Sequence, residues 1–414
     1  MKLSRRAFLM ALGLGSAGLV GVRFGLPRWL AARPVRSIEE LPDEARALVA
    51  AAFAGVRADR VVDLHVHALG LGGESSGCWV NPRFRSHWHP VQRLVFELYL
   101  GAAGVRDDAS ADRAYVERLL ALQRAANPAG RLLLLAFDAW VGEDGVEDRS
   151  ASMFVVPDEH VCALARAHPE LLACASVHPY RPDALERLER ARAAGAIAVK
   201  WLPNAQNIDP AAQRCRPFYR RLAELGLPLL VHTGDERAVW NAAGAELGNP
   251  QRLEPALEEG ATVVALHCAS LGECADRTRG GARRSAFELF VELLARAPGP
   301  GRLFGEISAV TLLNRGAKPL EVLLERTDLH ERLLDGSDYP LVALDPLTSL
   351  GQLERRGFLD PADRTPLRAV FEANPLLFDF VLKRRLRLVR PEGARAFRPE
   401  VFETARLFDK LSGR

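Results

Sequence analysis

The chain has 414 residues, 48% of them hydrophobic, so it holds enough apolar material for one large domain or for two or three small ones. The formal net charge of +3 comes from residues 1–36, which carry seven basic residues and no acidic one; the remainder has 48 basic and 52 acidic residues. This balance argues against nucleic acid as a partner of the folded part. The six cysteines form no CxxC pair, which excludes a disulfide-dense scaffold but leaves a single bridge open.

The N-terminal segment predicts export from a bacterial cytoplasm. Ser4–Met10 contains a pair of arginines followed by a phenylalanine, and it resembles the twin-arginine export signal. The apolar run over 11–22 ends at Arg23 and is too short for an ordinary membrane span. We therefore expect the twin-arginine export machinery as a partner and a periplasmic or exported protein. An ordinary secretory signal and an uncleaved anchor in the inner membrane stay open, because residues 30–32 match a cleavage site poorly.

From about residue 38 the chain alternates between short runs rich in Val, Leu and Ile and stretches with helical periodicity. The eight predicted strands are Val61–Val66, Leu132–Phe137, Leu172–Val177, Ala196–Leu202, Pro228–His232, Thr262–His267, Leu303–Ile307 and Leu333–Leu334. The amphipathic stretches between them include Ala111–Ala126, Asp183–Ala194, Ala211–Leu225 and Ser285–Ala297. Eight such units predict an α/β fold, a (β/α)₈ TIM barrel. A doubly wound sheet is the alternative, weakened because no glycine-rich nucleotide loop follows the first strand.

This pattern divides the chain into three predicted parts. We expect a twin-arginine signal or anchor segment over 1–36 and a barrel over 37–385. A C-terminal helical extension over 386–414 would pack on the barrel or on a partner, and a homo-oligomer stays open.

Ionisable and metal-binding residue types fall at the ends of the predicted strands. His65 and His67 close the first strand, and the fourth, fifth, sixth and eighth strands lead to Lys200, His232, His267 and Asp338. In a barrel these strand ends meet at one mouth. Residues i and i+2 of a strand point the same way, so the two imidazoles of an HxH pair can grip one cation at about 2.0–2.1 Å. Nitrogen and oxygen ligands of this kind suit Zn²⁺, which lowers the pKa of a bound water to ~7.

The same residues resemble the amidohydrolase superfamily, in particular the branch that includes aminocarboxymuconate-semialdehyde decarboxylase and related metal-dependent hydrolases. The resemblance runs from about Val61 to Phe378. It rests on Asp63-Leu64-His65-Val66-His67, Val199-Lys200, Val231-His232-Thr233-Gly234, Leu266-His267, Gly336-Ser337-Asp338-Tyr339-Pro340 and Asn374-Pro375-Leu376-Leu377-Phe378.

The resemblance implies a role for each matching residue. His65, His67, His232 and Asp338 resemble the ligands of a divalent metal, and Asp338 also resembles the base that takes a proton from the attacking water. His267 would polarise the substrate in a site with one metal or bind the second ion in a site with two. Lys200 would then be carboxylated and bridge the two ions. Only five residues of the chain are Lys against 50 Arg, so a Lys at a strand end suggests a specific need, although pairing with a carboxylate is the alternative.

Substrate contacts are predicted in the loops at the mouth, above all in Ala68–Pro90. We expect Arg83 and His178 to contact substrate, with a position on the barrel rim as the alternative for His178. A second HxH pair, His87 and His89, falls in a loop and is a weaker candidate. Glu306 is expected to make hydrogen bonds in the core.

These residues predict an exported metal-dependent hydrolase that uses metal-activated water on a C–N or C–O bond of a small molecule. The first alternative is non-oxidative decarboxylation of an unsaturated or aromatic acid, which an arginine at the mouth, Arg83 or Arg237, would favour. The second alternative is a catalytically weak metal-binding protein, against which the complete ligand set argues.

Overall fold

The computed structural model describes residues 33–73, 76–126, 130–239, 244–297 and 301–412. Residues 1–32 of the predicted export segment therefore lie outside the described residues. Arg33 and Arg36 of the same segment contact the folded part: the Arg33 guanidinium lies 3.0 Å from a carboxylate oxygen of Asp345, and the Arg36 amide donates to the carbonyl of Ala373.

Eight parallel strands, hydrogen-bonded in the order in which they occur along the chain, form one sheet. They are β1 Val62–His67, β2 Arg131–Leu135, β3 Leu171–Ala175, β4 Ala196–Trp201, β5 Leu229–His232, β6 Val263–Leu266, β7 Leu303–Glu306 and β8 Leu333–Leu334. Each predicted apolar run overlaps one of these strands, with bounds that differ by no more than two residues at either end. Sequential neighbours in a parallel sheet require crossover connections, which is why long segments separate the strands.

The sheet closes into a barrel through the segment that follows β8. The amide of Leu64 donates to the carbonyl of Asp335 over 3.3 Å, and the amide of His67 donates to the carbonyl of Tyr339 over 2.9 Å. Val66 and Tyr339 form a parallel bridge. The predicted TIM barrel is thereby confirmed.

The α-helices lie between the strands and beyond the last one. They are α1 Asp43–Phe53, α2 Pro90–Ala102, α3 Ala111–Ala125, α4 Asp158–Ala167, α5 Ala184–Ala193, α6 Pro203–Gln206, α7 Arg216–Leu225, α8 Glu254–Glu258, α9 Ala286–Arg296, α10 Lys318–Glu325, α11 Leu350–Arg355, α12 Arg364–Ala373, α13 Pro375–Arg385 and α14 Arg406–Ser412. The four amphipathic stretches singled out in the sequence correspond to α3, α5, α7 and α9. Their apolar faces pack against the outside of the barrel, in the larger of two core clusters.

The smaller core cluster fills the barrel interior. It contains Val62, Leu64, Leu133, Leu135, Cys174, Ala198, Leu230, Val264, Leu266, Phe304 and Leu334 from the strands, together with Ala405 and Leu407. The last two belong to the C-terminal part of the chain, so this part closes one end of the barrel. A second tie holds it there, because the side chain of Thr404 accepts a hydrogen bond of 2.9 Å from the amide of Val62.

The C-terminal part is a hairpin followed by a short helix. Leu388–Arg390 pairs in antiparallel fashion with Gly393–Arg395, and α14 follows. The expected packing on the barrel is thus observed, with a hairpin in addition to the helix that the sequence predicted.

All six cysteines are buried and carry free thiols, so the single disulfide bridge that the sequence left open is not formed. Among the described residues, the helices are too short or too polar to cross a membrane.

Candidate metal centre

The structure brings the six residues predicted at the strand ends to one cavity of about 130 Å³. Its walls include all of them: His65, His67, Lys200, His232, His267 and Asp338. The barrel is responsible for the convergence, because parallel strands end at the same mouth.

A β-bulge in β1 aims both histidines of the HxH pair at this mouth. The register of β1 against β2 shifts between Asp63 and Val66. Val62, before the shift, packs in the barrel interior, whereas Val66 after it packs in the outer core. Bulges re-aim side chains in this way beside active sites.

His65, His67 and Asp338 form a tight group of ligand atoms. The Nε2 atoms of His65 and His67 are 3.2 Å apart. A carboxylate oxygen of Asp338 lies 3.1 Å from Nε2 of His67 and 3.4 Å from Nε2 of His65. One cation bound at about 2 Å from each atom would fit between atoms spaced in this way.

His267 and His232 extend the group across the mouth. The ring centroids of His65 and His267 are 4.9 Å apart, and those of His232 and His267 are also 4.9 Å apart. The Nε2 atom of His232 is buried without a hydrogen-bond partner among the described residues. Because a buried polar atom costs free energy unless it is satisfied, this nitrogen indicates a missing ligand. The donor set, neutral imidazoles with a carboxylate, fits a divalent metal such as Zn²⁺.

Each of these inner histidines has its Nδ1 atom engaged by a neighbouring side chain. Nδ1 of His65 lies 3.3 Å from Glu306, Nδ1 of His232 lies 3.2 Å from Glu236, and Nδ1 of His267 lies 2.7 Å from the hydroxyl of Ser308. Such contacts fix the ring orientation and the tautomer of metal-binding histidines and leave Nε2 for the metal.

Glu306 organises this part of the centre. The carboxylate is fully buried and accepts hydrogen bonds from the Ser308 hydroxyl at 2.7 Å and the His267 amide at 3.2 Å. Burial raises its pKa to about 8. The expected core hydrogen bonding of Glu306 is observed, and it serves the histidines of the centre.

Lys200 lies beside the histidines. Its Nζ atom is 3.3 Å from Nε2 of His65, and the side chain is 2% exposed. In the part of the chain that the structure describes, no carboxylate lies within ion-pair distance of this amine. Burial lowers the pKa of Lys200, and the carboxylate of Asp338 offsets only part of that effect.

Burial also keeps the histidines neutral. It lowers the pKa of His232 and places the pKa values of His65 and His267 well below the ordinary range, with the positive charge of Lys200 adding to the effect at His65 and that of Arg315 at His267. Neutral imidazoles have the lone pair that a metal needs.

Strained backbone holds two of these residues in place. Asp338 has φ 61° and His267 has φ 58°, a conformation that residues other than glycine adopt rarely. A half-buried carboxylate, Asp63, ties β1 to the segment after β8 by accepting from the amides of His65 (3.0 Å) and Ser337 (2.8 Å). Such strain persists only where the surroundings hold it, commonly at active sites.

The two predicted substrate-binding residues lie elsewhere than the metal ligands. Arg83 is exposed and is not among the described residues that line this cavity. His178 is fully buried; its Nε2 is 2.7 Å from the carbonyl of Gln206, and its Nδ1 accepts from the amide of Tyr180. With both ring nitrogens engaged, His178 supports the loops around the mouth. The second HxH pair also lies outside the cavity, where His87 contacts Arg93.

Three residues of the centre were not anticipated as members of it: Glu236, Ser308 and Arg315. Glu236 follows His232 by four residues in a loop. In a helix this spacing would place the two side chains next to each other, but in a loop it predicts no contact. Arg315 lines the cavity, and its Nε atom is buried without a hydrogen-bond partner among the described residues. The sequence contains one indication that Ser308 lies near the centre, because it follows Glu306 by two residues at the end of a predicted strand.

The fold and the centre together define a barrel with a histidine-rich candidate metal site at its mouth. A model of the amidohydrolase family matches residues 62–378, which is more than half of the chain. The chain therefore belongs to the amidohydrolase family, whose members are generally metal-dependent enzymes. No curated protein matches the sequence.

Solved structures of low sequence identity share the architecture. An uncharacterised TIM-barrel protein from Bordetella bronchiseptica is 16% identical with a TM-score of 0.48, covering 76% of this chain and 99% of its own. A putative 2-pyrone-4,6-dicarboxylic acid hydrolase from Pseudomonas putida is 17% identical with a TM-score of 0.42, covering 77% and 97%. The 2,6-dihydroxybenzoate decarboxylase from Rhizobium is 13% identical with a TM-score of 0.39, covering 75% and 98%.

Proposed function

We propose that the chain is a metal-dependent hydrolase that cleaves a C–N or C–O bond, such as that of an amide, a lactone or an ester, in a small molecule. The observation that carries the proposal is the convergence of His65, His67 and Asp338 on one point, beside the Nε2 of His232, which has no hydrogen-bond partner among the described residues. These four residues would hold a divalent cation, for which Zn²⁺ is the proposal. When bound, the cation would supply an activated water and polarise the substrate carbonyl.

The other steps of the proposed reaction are assigned to individual side chains of the centre. Asp338 lies where it can take the proton of the attacking water and return it to the leaving group. His267, oriented through Nδ1 by Ser308, faces the cavity and would stabilise the negative charge that develops on the substrate oxygen. Glu306 and Glu236 hold His65 and His232 in orientation and would not contact substrate.

The test combines metal analysis with hydrolysis assays on the full chain. We expect at least one equivalent of metal per chain, loss of hydrolysis after chelation, and its recovery on adding Zn²⁺. The variant Asp338→Asn should lower kcat by about 100-fold or more, the scale of general acid–base catalysis. The matched control Asp345→Asn alters an aspartate outside this cavity and should keep activity. A protein that binds no divalent metal would overturn the proposal.

A specific observation favours decarboxylation as a second candidate. Arg315 lies in the same cavity, where its positive charge lowers the pKa of His232 and of His267. Its buried Nε atom has no hydrogen-bond partner among the described residues. A guanidinium in such a place suits a substrate carboxylate. Release of CO₂ from an unsaturated or aromatic acid, without hydrolysis of any amide, lactone or ester, would favour this candidate. Arg315→Met would then raise KM for the acid.

We further propose that the protein is exported through the twin-arginine machinery, which would place it in the periplasm, processed or anchored. The support is the paired Arg5 and Arg6 ahead of a short apolar run. Expression of the full chain in a bacterium, followed by fractionation, tests this. Replacing both arginines with lysine should retain the protein in the cytoplasm, and export unaffected by that change would contradict the proposal.

A further inference from the structure

A second cavity, of about 100 Å³, adjoins the metal centre. Apolar side chains form almost all of its wall, including Leu71, Val80, Phe84, Phe96, Met153 and Phe154. The polar side chains in that wall are His67 and Tyr99. The hydroxyl of Tyr99 is already occupied, since it donates to the carbonyl of Ala238 over 2.7 Å.

The two cavities share part of their walls. His67, Tyr99, Ala238, Val239 and Leu341 line both. A molecule bound through the shared region therefore has metal ligands on one side and apolar side chains on the other. The apolar cavity meets the centre beside His67, whereas Lys200, His232, His267 and Arg315 line only the first cavity.

A cavity with an almost wholly apolar wall favours an apolar ligand. Protein interiors are packed about as densely as organic crystals, and unfilled apolar volume costs stability. An apolar cavity of about 150 Å³ in a protein core takes up benzene, so a cavity on this scale suits a small apolar group. The loop after β1, where the sequence placed substrate contacts, supplies Leu71, Val80 and Phe84 to this wall.

We propose that this pocket binds an apolar substituent, an aryl or branched alkyl group, of the substrate whose reacting bond lies at the metal centre. The inference rests on the proposed function and narrows it to amphipathic substrates that join a polar reacting group to a hydrophobic one. Burial of apolar surface would supply the binding energy, and Val80, Phe84 and Phe154 would set which substituents are accepted.

A short antiparallel ribbon offers a matched pair of variants. Trp79 and Val80 pair with Val155 and Phe154 respectively. Val80 and Phe154 line the pocket, whereas Trp79 and Val155 are on the other face. Val80→Trp should therefore fill the pocket, and Val155→Trp makes the same change on the opposite face. Leu71→Gln is a second test variant, because this half-buried side chain tolerates an amide more readily than a core position.

Two substrate series measure the effect with the metal-loaded full chain. One is methyl esters with acyl chains of increasing length, and the other is acetates of alcohols of increasing length. In at least one series kcat/KM should rise about fourfold per methylene until the pocket is full, the factor that corresponds to ~0.8 kcal/mol per buried methylene. Val80→Trp and Leu71→Gln should flatten that rise, and Val155→Trp should keep it.

A crystal soaked in bromobenzene gives a readout that is independent of activity. We expect the bromine signal between Phe84, Phe96 and Met153 in the parent and in Val155→Trp, and its absence in Val80→Trp. Flat series in the parent, or bromobenzene absent from the pocket, would overturn the inference. If these esters, amides and lactones are all left intact, the proposed function fails, while the bromobenzene result still decides whether the pocket takes apolar groups.

Discussion

Two lysines of this barrel are buried in opposite electrostatic surroundings. Lys383, on α13, is fully buried, and its Nζ atom contacts Asp335 at 3.0 Å, Asp379 at 2.5 Å and the carbonyl of Gly336 at 2.6 Å. Lys200 is 2% exposed, and the described residues place no carboxylate within ion-pair distance of it. Burial lowers the pKa of both, but the charges of Asp335 and Asp379 outweigh burial at Lys383 and raise its pKa.

The difference separates a structural charge from a chemical one. The Lys383 cluster is satisfied within the protein and anchors the segment that leads from β8 to Asp338. Lys200 is an amine that burial pushes toward its neutral form, beside a group of histidines whose ligand atoms face one another. A neutral amine is the form that can be carboxylated, so the bridging role of Lys200 stays a proposal that the metal content of its variants tests.

The largest expected effect concerns stability. Lys383→Met leaves Asp335 and Asp379 buried without their counter-ion, so we expect the free energy of unfolding to fall by about 3–5 kcal/mol. Urea unfolding of metal-free protein measures this. Lys318→Met, at an exposed lysine, is the control and should change it by about 0.5 kcal/mol or less. A loss no larger than that of the control would remove the distinction between the two lysines.

Replacement of Lys200 should change the metal content of the protein and leave its stability nearly unchanged. Lys200→Met should leave the metal-free stability within about 1 kcal/mol of the parent, because no ion pair among the described residues is broken. The methionine side chain cannot be carboxylated, so this variant should bind one metal ion fewer per chain than the parent. Metal analysis by mass spectrometry decides this, and an unchanged metal content would assign Lys200 to a single-metal site.

The contacts to the Nδ1 atoms should control metal affinity. Glu236→Gln keeps the size of the side chain but weakens its hold on His232, so we expect metal affinity to fall about 10- to 100-fold. Competition with a chelating dye measures the affinity. Glu246→Gln, in the same loop region but outside this cavity, is the control. Equal affinities for both variants would show that Glu236 does not orient the ligand.

A smaller effect on stability is expected at Asp158, a half-buried acid. Asp158 accepts a hydrogen bond from the amide of Ser176, and burial raises its pKa to about 7, although Arg187 lies near enough to oppose the shift. A folded pKa above the unfolded value of 3.8 means that the native state keeps a proton that the unfolded chain loses. Its contribution to stability is therefore fully present below about pH 4 and is lost as the pH rises to about 7.

Asp158→Asn should flatten this dependence. Urea unfolding at about pH 5 and about pH 7 gives the difference in unfolding free energy, which should be smaller in the variant than in the parent. Asp183→Asn, at an exposed helix start, should keep the parent's dependence. If Asp158→Asn and the parent respond alike, burial does not control the charge of this group.

Much of the architecture could be predicted from sequence because its signals are local. Each strand is a short run of β-branched and aliphatic residues, and each helix repeats its apolar positions at three- and four-residue spacing. Eight strand–helix units can therefore be counted from the sequence. The chain order of His65, Lys200, His232, His267 and Asp338 at the strand ends followed from the same count. What these residues do remained an expectation, since spacing along a strand does not show what lies across the barrel.

The tertiary structure decided the rest, because it depends on segments far apart in the chain. Glu306 meets His65 across 241 positions and Ser308 meets His267 across 41, so their roles have no local pattern. The sequence left a position on the barrel rim and a substrate contact both open for His178, and the loop carrying Gln206 engages its ring. The sequence alone thus determined the barrel and the residue types at its mouth. Only packing determined that Lys383 is paired with carboxylates, and that the Nε2 atom of His232 has no hydrogen-bond partner among the described residues. Packing also determined that an apolar pocket opens beside His67.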